Sequence, residues 1–229
     1  MDFKKYYIAN KTFLPYADTR LNKIIDLVGK YKNDKILDIG CGDGFLLKEL
    51  KKKYPKSKLY GIDVYQTKIS GIEIKTGDIT EGLNYPSSAF SVVVLGEVIE
   101  HVPDPDFLLM EIHRVLRKGG VLIISTPNLV SWANRLMVLF GIQPFFTETS
   151  TKVNLGRYSK FLGQGGKVQG HLKIFTHKSL EEILEMEKFK LLEKHGVPFF
   201  FPFPISLIDR AFSEVVPLSS GLVYVAKKN

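Results

Sequence analysis

The sequence predicts an α/β fold, built as a doubly wound and mostly parallel sheet. Short apolar runs alternate with segments whose apolar residues recur at helical spacing, which is typical of parallel strands covered by helices. A glycine-rich turn at residues 40–44 directly follows the first of these runs. The chain has 229 residues, 45% of them hydrophobic, and can therefore bury the core of one domain. We expect a single domain over residues 1–229.

The first part of the chain contains the regular alternation. The link at residues 64–70 is too short for a full crossover helix, so we expect that helix to be reduced or absent. We expect Gly119 to end the third predicted helix. The predicted strands are 35–39, 59–63, 72–75, 90–95 and 121–125, and the predicted helices are 21–28, 45–54 and 106–118.

The alternation breaks after the fifth strand. Residues 127–170 are rich in loop-forming residues and contain one predicted helix at 129–140. A helix at 176–188 follows, with Ser179 and Glu182 as its predicted capping box. The last two strands are expected at 189–195 and 222–226. The run 197–208 between them carries three prolines and should be a poor helix.

Charge and cysteine content narrow the class of protein. A net charge of +8, from 32 basic and 24 acidic residues, suggests anionic partners, but from charge alone a lysine-rich solvated surface is the preferred interpretation. The single cysteine, Cys41, excludes a disulfide framework and a cysteine-based zinc site. No run approaches the roughly 20 apolar residues of a membrane helix, and the charged N-terminus does not read as a secretory signal. We therefore expect a cytoplasmic protein that can touch a membrane surface.

The sharpest motif is Asp38-Ile39-Gly40-Cys41-Gly42-Asp43-Gly44, between a strand and a helix. Glycines allow a tight turn and close approach of a ligand, and the helix N-terminus offers free N–H groups. A dinucleotide motif needs its third glycine where Phe45 stands, which argues against NAD. Asp63 ends the next strand, about 20 residues on, where an acid can accept both ribose hydroxyl protons. Asp78 ends the third strand and could receive an adenine amino group, unless both acids only form turns.

Residues 38–44, 62–63, 77–78, 90–101 and 116–127 together resemble a class I S-adenosylmethionine-dependent methyltransferase. The resemblance implies a Rossmann-like methyltransferase fold, with a seven-stranded sheet whose last strand is antiparallel. It also implies that S-adenosylmethionine is the cofactor. Ser91 departs from the family, which usually has Asp there, and we expect this acid to be structural. By motif, the ribose of the cofactor would contact Asp63, and the reacting end would contact Glu97. The adenine would contact Val64, Asp78 and Ile79. The methionine end would contact Asp38, Gly40, Cys41, Gly42 and Gly44.

Candidate catalytic residues follow the fourth strand as Glu97-Val98-Ile99-Glu100-His101. One helical turn would place Glu97, Glu100 and His101 on one face, and His171 should return to the same sheet edge. The pattern resembles two metal-using branches of the family, the ubiquinone-pathway O-methyltransferases and the small-RNA 3′-end 2′-O-methyltransferases. Glu97, Glu100, His101 and His171 could therefore bind a divalent metal ion. Alternatively His101, aided by the two acids, is a metal-free general base, and this is the preferred reading.

Insertions after strand five cover the acceptor in this family, so residues 127–170 are predicted to be a substrate cap. Residues 1–34 form a predicted N-terminal helical lid, in which Tyr6, Tyr7 and Tyr16 could close the site. Leu207, Ile208 and Phe212, with residues 199–203, could add an apolar wall. The cap contains five basic residues and one acidic residue, Glu148. The basic residues are Arg135, Lys152, Arg157, Lys160 and Lys167. The cap also contains six aromatic residues: Trp132, Phe140, Phe145, Phe146, Tyr158 and Phe161.

A basic and aromatic cap favours an anionic or lipid-like small molecule as the methyl acceptor, and O-methylation as the reaction. Peripheral contact with a membrane is compatible with the same surface. An RNA methyltransferase is the first alternative, although no RNA-binding module and no Asn-Pro-Pro-aromatic motif is present. The second is a catalytically silent methyltransferase-like binding module, against which the intact glycine loop argues.

Overall fold

The computed structural model describes residues 18–199 and 201–229. Seven strands form one sheet in the order β3-β2-β1-β4-β5-β7-β6. β1 to β5 pair in parallel, whereas β7 runs antiparallel to both β5 and β6. The predicted fold class and antiparallel last strand are therefore confirmed. The strands are β1 (Lys35–Ile39), β2 (Lys58–Asp63), β3 (Glu73–Thr76), β4 (Phe90–Gly96), β5 (Leu116–Pro127), β6 (Phe189–Val197) and β7 (Gly221–Lys228).

Helices cover both faces of the sheet and create two apolar cores. The core on one face includes Leu109 and Leu180, and the core on the other includes Ile24 and Leu47. No helix in the described ranges is long and apolar enough to cross a membrane. The helices are α1 (Asp18–Lys30), α2 (Phe45–Lys53), α3 (Pro105–Val115), α4 (Trp132–Leu139), α5 (His177–Met186) and α6 (Ile205–Ser213).

Three predicted boundaries were wrong. Helix α3 ends at Val115 rather than at Gly119, because Leu116 turns to an extended backbone and pairs with Phe90 as the start of β5. Leu116 fits the apolar stripe of the helix as well as a buried strand position, so periodicity does not mark the change. Asp104 caps this helix by accepting a hydrogen bond from the N–H of Phe107, 3.0 Å away.

The capping box of α5 and the helix α6 also differ from expectation. Thr176, not Ser179, is the N-cap residue, and Ser179 takes the third position that had been assigned to Glu182. Helix α6 begins at Ile205, directly after the prolines that were expected to prevent a helix. A proline immediately before a helix does not interrupt its hydrogen bonds, so only the first part of the run is non-helical.

The short link between β2 and β3 contains no helix, as the sequence predicted. Ser91 is structural, in agreement with its predicted role. Its hydroxyl donates a hydrogen bond to the carbonyl of Lys35 at 2.7 Å and accepts one from the same residue's N–H at 3.0 Å. These bonds fasten the start of β1 to β4, the two central strands whose carboxyl ends carry the site.

Candidate functional site

The glycine loop connects β1 to α2 at the carboxyl edge of the sheet. Gly40, Gly42 and Gly44 all have positive φ, at 71°, 55° and 75°, which explains why glycine occupies all three positions. The N–H of Gly42 donates to Asp63 Oδ2 at 2.7 Å, and the N–H of Tyr65 donates to Oδ1 at 3.0 Å. Asp63 thus holds the loop and the exit of β2 together, and each of its carboxylate oxygens has a second lone pair for a ligand hydroxyl.

Asp38 and Cys41 lie beneath this loop. Burial, together with the nearby Asp63 carboxylate, raises the pKa of Asp38 to about 8. Burial also raises the pKa of the Cys41 thiol, so its thiolate is scarce at neutral pH. A Cβ added to Gly61 would lie 2.8 Å from Cys41 Sγ, which shows how closely the thiol is packed. These features favour Cys41 as a small space-filling residue over a nucleophile.

The three remaining residues on the predicted adenine side lie at the ends of β2 and β3. Asp78 caps the short 3₁₀ helix Ile79–Glu81, and its Oδ1 accepts hydrogen bonds from the N–H and hydroxyl of Thr80. Ile79 packs partly against the apolar core, and Val64 is half-buried directly after β2. Asp78 therefore forms a turn, which is one of the two roles expected for it.

Glu97 does not lie on a helical turn with Glu100 and His101. Its backbone has a positive φ of 55°, and the helical residues that follow form a short 3₁₀ helix, Ile99–His101. Its carboxylate accepts a hydrogen bond from the Ser125 hydroxyl at 2.9 Å and pairs with the Arg20 guanidinium at 2.8 Å. The predicted common face of these residues was wrong, because the chain must turn sharply where it leaves β4.

Glu100 is completely buried. Its Oε2 accepts a hydrogen bond from the Thr126 hydroxyl at 3.0 Å, whereas Oε1 has no hydrogen-bond donor among the described residues. Burial, reinforced by the charge of Glu97, raises the pKa of Glu100 well above its ordinary range. A buried carboxyl with an unpartnered oxygen is costly unless it is protonated or meets a ligand.

His101 and His171 come together as predicted, with their ring centroids 4.7 Å apart. His101 Nδ1 lies 3.2 Å from the carbonyl of Gly170, and His171 Nδ1 lies 2.8 Å from the carbonyl of Phe146. Because a carbonyl only accepts, both Nδ1 atoms carry a proton and both neutral rings hold their lone pair on Nε2. Burial lowers the pKa of His101, and burial with the neighbouring His101 lowers that of His171 to about 3.

Glu100, His101 and His171 form a group whose candidate ligand atoms all lie within 4.8 Å of one another. Glu97 is not part of this group, since Arg20 and Ser125 hold its carboxylate elsewhere. One carboxylate and two neutral imidazoles suit a divalent transition metal. The same two imidazoles, neutral at neutral pH, equally suit proton transfer without a metal.

A methyltransferase-domain family model matches residues 13–194, which is most of the chain and includes the glycine loop, Asp63 and the group around His101. The chain belongs to the class I S-adenosylmethionine-dependent methyltransferase family. Its sheet order and antiparallel last strand are the architecture that the resemblance implied.

Curated relatives of this methyltransferase-family chain include ubiquinone biosynthesis O-methyltransferases. That of Rhizobium johnstonii is 28% identical over 173 residues, or 72% of this chain and 63% of the relative. That of Aeromonas salmonicida is 31% identical over 131 residues, or 52% of this chain and 54% of the relative. The chain therefore spans little more than half the length of these relatives.

The solved 1,6-didemethyltoxoflavin-N1-methyltransferase of Burkholderia thailandensis shares the fold of this methyltransferase family member. Its TM-score is 0.62 at 15% sequence identity, with 98% of this chain and 84% of that chain covered. That structure has S-adenosylhomocysteine and 1,6-didemethyltoxoflavin bound.

The predicted cap of this methyltransferase family member has both buried and exposed cations. Arg157, expected on a basic surface, is buried, and its guanidinium donates to the carbonyls of Gln143 and Pro144 at 3.3 and 2.9 Å. It also lies over the ring of Phe145, at 5.6 Å. Lys152, Lys160 and Lys167 are exposed, as predicted for a basic surface.

Aromatic side chains connect the cap to the segment before α6. Phe146 lies edge-to-face on Phe199, with ring centroids 4.9 Å apart, and 5.9 Å from His171. Trp132 stacks on Phe212 at 5.4 Å, but Leu207 and Ile208 are exposed rather than part of this wall. Residue 200, and Tyr6, Tyr7 and Tyr16 of the predicted lid, lie outside the described residues.

Four site residues were missed by the sequence reasoning. Arg20, Ser125 and Thr126 hold the carboxylates of Glu97 and Glu100, and Glu148 holds the backbone of residues 169–171. Ser125 and Thr126 could have been found from their position at the end of a buried strand. The only sequence signal for Glu148 is that it is the single acidic residue in a basic segment. The sequence around Arg20 contains no signal for its role.

Proposed function

We propose that this chain is an S-adenosylmethionine-dependent O-methyltransferase that acts on a hydroxyl group of a small or lipid-like, anionic acceptor. The observation that carries the proposal is the adjacent pair of neutral imidazoles, the buried His171 and the partly buried His101, beyond the carboxyl end of β4, the strand next to β1. The names of the O-methyltransferase relatives support oxygen as the acceptor atom.

The donor set of the loop suits S-adenosylmethionine. Asp63 would hold the ribose hydroxyls, because its two oxygens already accept backbone N–H groups and can each accept one more hydrogen bond. Asp38 and the glycines 40, 42 and 44, with Cys41 as filler, would hold the methionine end. Val64, Asp78 and Ile79 would line the adenine side, and Glu97 would lie near the reacting end.

Methyl transfer to a hydroxyl requires the acceptor to lose its proton. S-adenosylmethionine, when bound, supplies an electrophilic methyl group for an in-line displacement. His101 would accept the acceptor's proton on Nε2, since its Nδ1–H is held by the carbonyl of Gly170. Glu100, whose pKa is raised, places its Oε1 3.9 Å from that nitrogen. His101, Glu97 and Glu100 are thus the proposed catalytic set.

The surface of residues 127–170 supports an amphiphilic acceptor. Phe140, Tyr158 and Phe161 are exposed beside a cap that also exposes Lys152, Lys160 and Lys167. Exposed aromatics next to lysines suit an acceptor with an apolar body and an anionic group, or contact with an anionic lipid surface. Residues 127–170 would cover the acceptor, with the lid at residues 1–34 opposite.

The proposal is tested by measuring methyl transfer from radiolabelled S-adenosylmethionine to three classes of acceptor. The panel is a phenolic acid with a prenyl tail, an unstructured RNA oligonucleotide and a primary aliphatic amine. We expect methylation of the phenolic amphiphile alone. Methylation of RNA with a steep salt dependence would instead support the RNA alternative. Absence of S-adenosylmethionine binding by calorimetry would indicate a silent binding module.

A further inference from the structure

We propose that Glu148 is a positioning residue of this site, which holds the backbone of residues 169–171 and thereby orients His101 and His171. This inference rests on the proposed function, in which His101 accepts the proton of the acceptor. Oε1 of Glu148 lies 3.9 Å from Nδ1 of His171, which is beyond hydrogen-bond distance, so we assign its action to the backbone.

The carboxylate of Glu148 is engaged by three consecutive backbone donors. Its oxygens accept hydrogen bonds from the N–H groups of Gln169, Gly170 and His171, at 2.5, 2.8 and 3.3 Å. The side chain is only 7% exposed, so these charge-assisted bonds are shielded from water. A single side chain therefore fixes the segment that carries one histidine and contacts the other.

The same segment is fastened from the opposite side by the 3₁₀ helix. The N–H groups of Leu172 and Lys173 donate to the carbonyl of Glu100, at 2.8 and 3.1 Å. Gly170, whose N–H is bound by Glu148, has a positive φ of 84°, a conformation that favours glycine. The anchors hold the peptide after Gly170 in place, and its carbonyl oxygen accepts the hydrogen bond from His101 Nδ1.

Glu148 and Phe146 act on His171 from one stretch of chain. The carbonyl of Phe146 accepts a hydrogen bond from His171 Nδ1, while Glu148 binds the N–H of the same residue. The tautomer of His171 thus depends on the Phe146 carbonyl, and the tautomer of His101 depends on the Gly170 carbonyl. Glu148 holds these two parts of the chain together. Without that carboxylate, the Gly170 carbonyl would lose its fixed direction, and the His101 proton could move from Nδ1 to Nε2.

Several charged and titratable groups among the described residues face the two rings. His101 faces Glu100, Glu97 and His171, and Glu97 is itself paired with Arg20. His171 faces His101 and the Glu148 carboxylate, whose Oε1 is 3.9 Å from Nδ1. A substitution at Glu148 therefore also removes a nearby negative charge, and the test must separate charge from position.

The experiment compares Glu148→Ala and Glu148→Gln with the control Glu185→Ala, at an exposed position on α5. We expect E148A to lower kcat roughly 10- to 100-fold, as for a misplaced catalytic group, with KM changed by less than about threefold. E148Q keeps an oxygen acceptor without the charge and should recover part of that loss. E185A should behave as the wild type.

Nitrogen-15 NMR of the imidazoles provides a readout that does not depend on activity. We expect His101 to be the Nδ1–H tautomer in the wild type and in E185A, and a mixture of tautomers in E148A. Wild-type kcat and an unchanged His101 tautomer in E148A would overturn the positioning role. If E148A does not fold, Glu148→Asp, whose shorter side chain cannot reach all three donors, is judged by the same two criteria.

His101→Ala separates failure of this inference from failure of the proposed function. Loss of rate in H101A with an unaffected E148A overturns the role of Glu148 alone. A wild-type rate in H101A overturns His101 as the base, and the tautomer measurement then still decides whether Glu148 positions the ring.

Discussion

The guanidinium of Arg20 lies 2.8 Å from the carboxylate of Glu97, and this ion pair joins α1 to the carboxyl end of β4. Both side chains are less than a third exposed, at 28% and 29%. Glu97 has a positive φ, so its conformation is maintained by partners rather than by backbone preference. Helix α1 therefore contributes directly to the geometry of the candidate site.

We expect Arg20→Ala to lower the free energy of unfolding by about 0.5–1 kcal/mol, within the range for a partly exposed ion pair. The matched control is Lys53→Ala, which breaks a more exposed ion pair. In that pair Lys53, at the end of α2, contacts Asp26 on α1. Urea denaturation of the two variants should show the larger loss for R20A. An equal or smaller loss would mean that the pair with Glu97 does not hold α1 in place.

We expect Asp63→Ala to weaken S-adenosylmethionine binding by about 2–4 kcal/mol, because two charge-assisted hydrogen bonds to the ribose are lost. Asp43→Ala is the control, since Asp43 lies in the same loop but only accepts a hydrogen bond from the N–H of Phe45. Calorimetric titration measures both. Unchanged affinity in D63A would contradict the assignment of the cofactor site.

Loss of affinity in D63A could also come from a disordered loop, since Asp63 accepts the N–H of Gly42. Asp63→Asn retains an acceptor oxygen for one backbone donor but carries no charge. An intermediate loss of affinity in D63N, with a thermal midpoint near that of the wild type, would assign the effect to ligand binding.

Most of the fold could be predicted because it depends on local signals. The strands β1, β2 and β4 are short buried runs that end in, or directly before, a glycine or an aspartate, and their carboxyl ends meet at one edge of a parallel sheet. The convergence of His171 with His101 followed from the same topology, although 70 residues separate them. The junction of α3 and β5 was missed because Leu116 suits an apolar helix face and a buried strand equally.

The positions of the carboxylates could not be predicted, because each depends on a distant partner. Glu97 is drawn away from Glu100 by Arg20, which lies on a helix that precedes it by some 70 residues. Arg157 was predicted to be a surface cation, but its guanidinium is buried against the carbonyls of Gln143 and Pro144. Sequence reasoning identified which residues reach the sheet edge and brought the two histidines together, but it did not identify the partners of the carboxylates.

We expect the stability contributed by His171 to be lost in acid. Its pKa is about 3 in the folded chain and near 6.5 when unfolded, so the unfolded state binds the extra proton between these values. The stability is fully present above pH 6.5 and falls by about 1.4 kcal/mol for each pH unit below it. Urea denaturation at pH 7.5 and 5.5 measures the free energy of unfolding of the wild type and of His171→Gln. The difference between the two proteins should be smaller at pH 5.5 than at pH 7.5.

Catalysis should tolerate mild acid for a related reason. Burial lowers the pKa of His101, so the neutral form that can accept a proton persists below pH 6.5. We expect kcat/KM to be flat above pH 6.5 and to fall only at lower pH. A fall that already begins above pH 7 would point to a different base.

The final prediction separates the two chemistries that the group of Glu100, His101 and His171 allows. If His101 is a metal-free base, a chelator leaves activity unchanged, and His101→Ala lowers the rate roughly 10²- to 10⁴-fold. His195→Ala is the control, because that ring pairs with Glu193 on β6, away from the site. We expect this outcome, since neutral imidazoles held by carbonyl groups already suit proton transfer.

A metal site would give a different pattern in the same measurements. The chelator would abolish activity, a divalent ion would restore it, and Glu100→Ala, His101→Ala and His171→Ala would each lose activity in parallel. Glu97→Ala would retain the bound metal ion, because the Glu97 carboxylate is held by Arg20 and Ser125 outside the group. If neither the chelator nor H101A changes the rate, alignment alone accounts for catalysis, and the acceptor must already be nucleophilic, as an amine or a thiolate is.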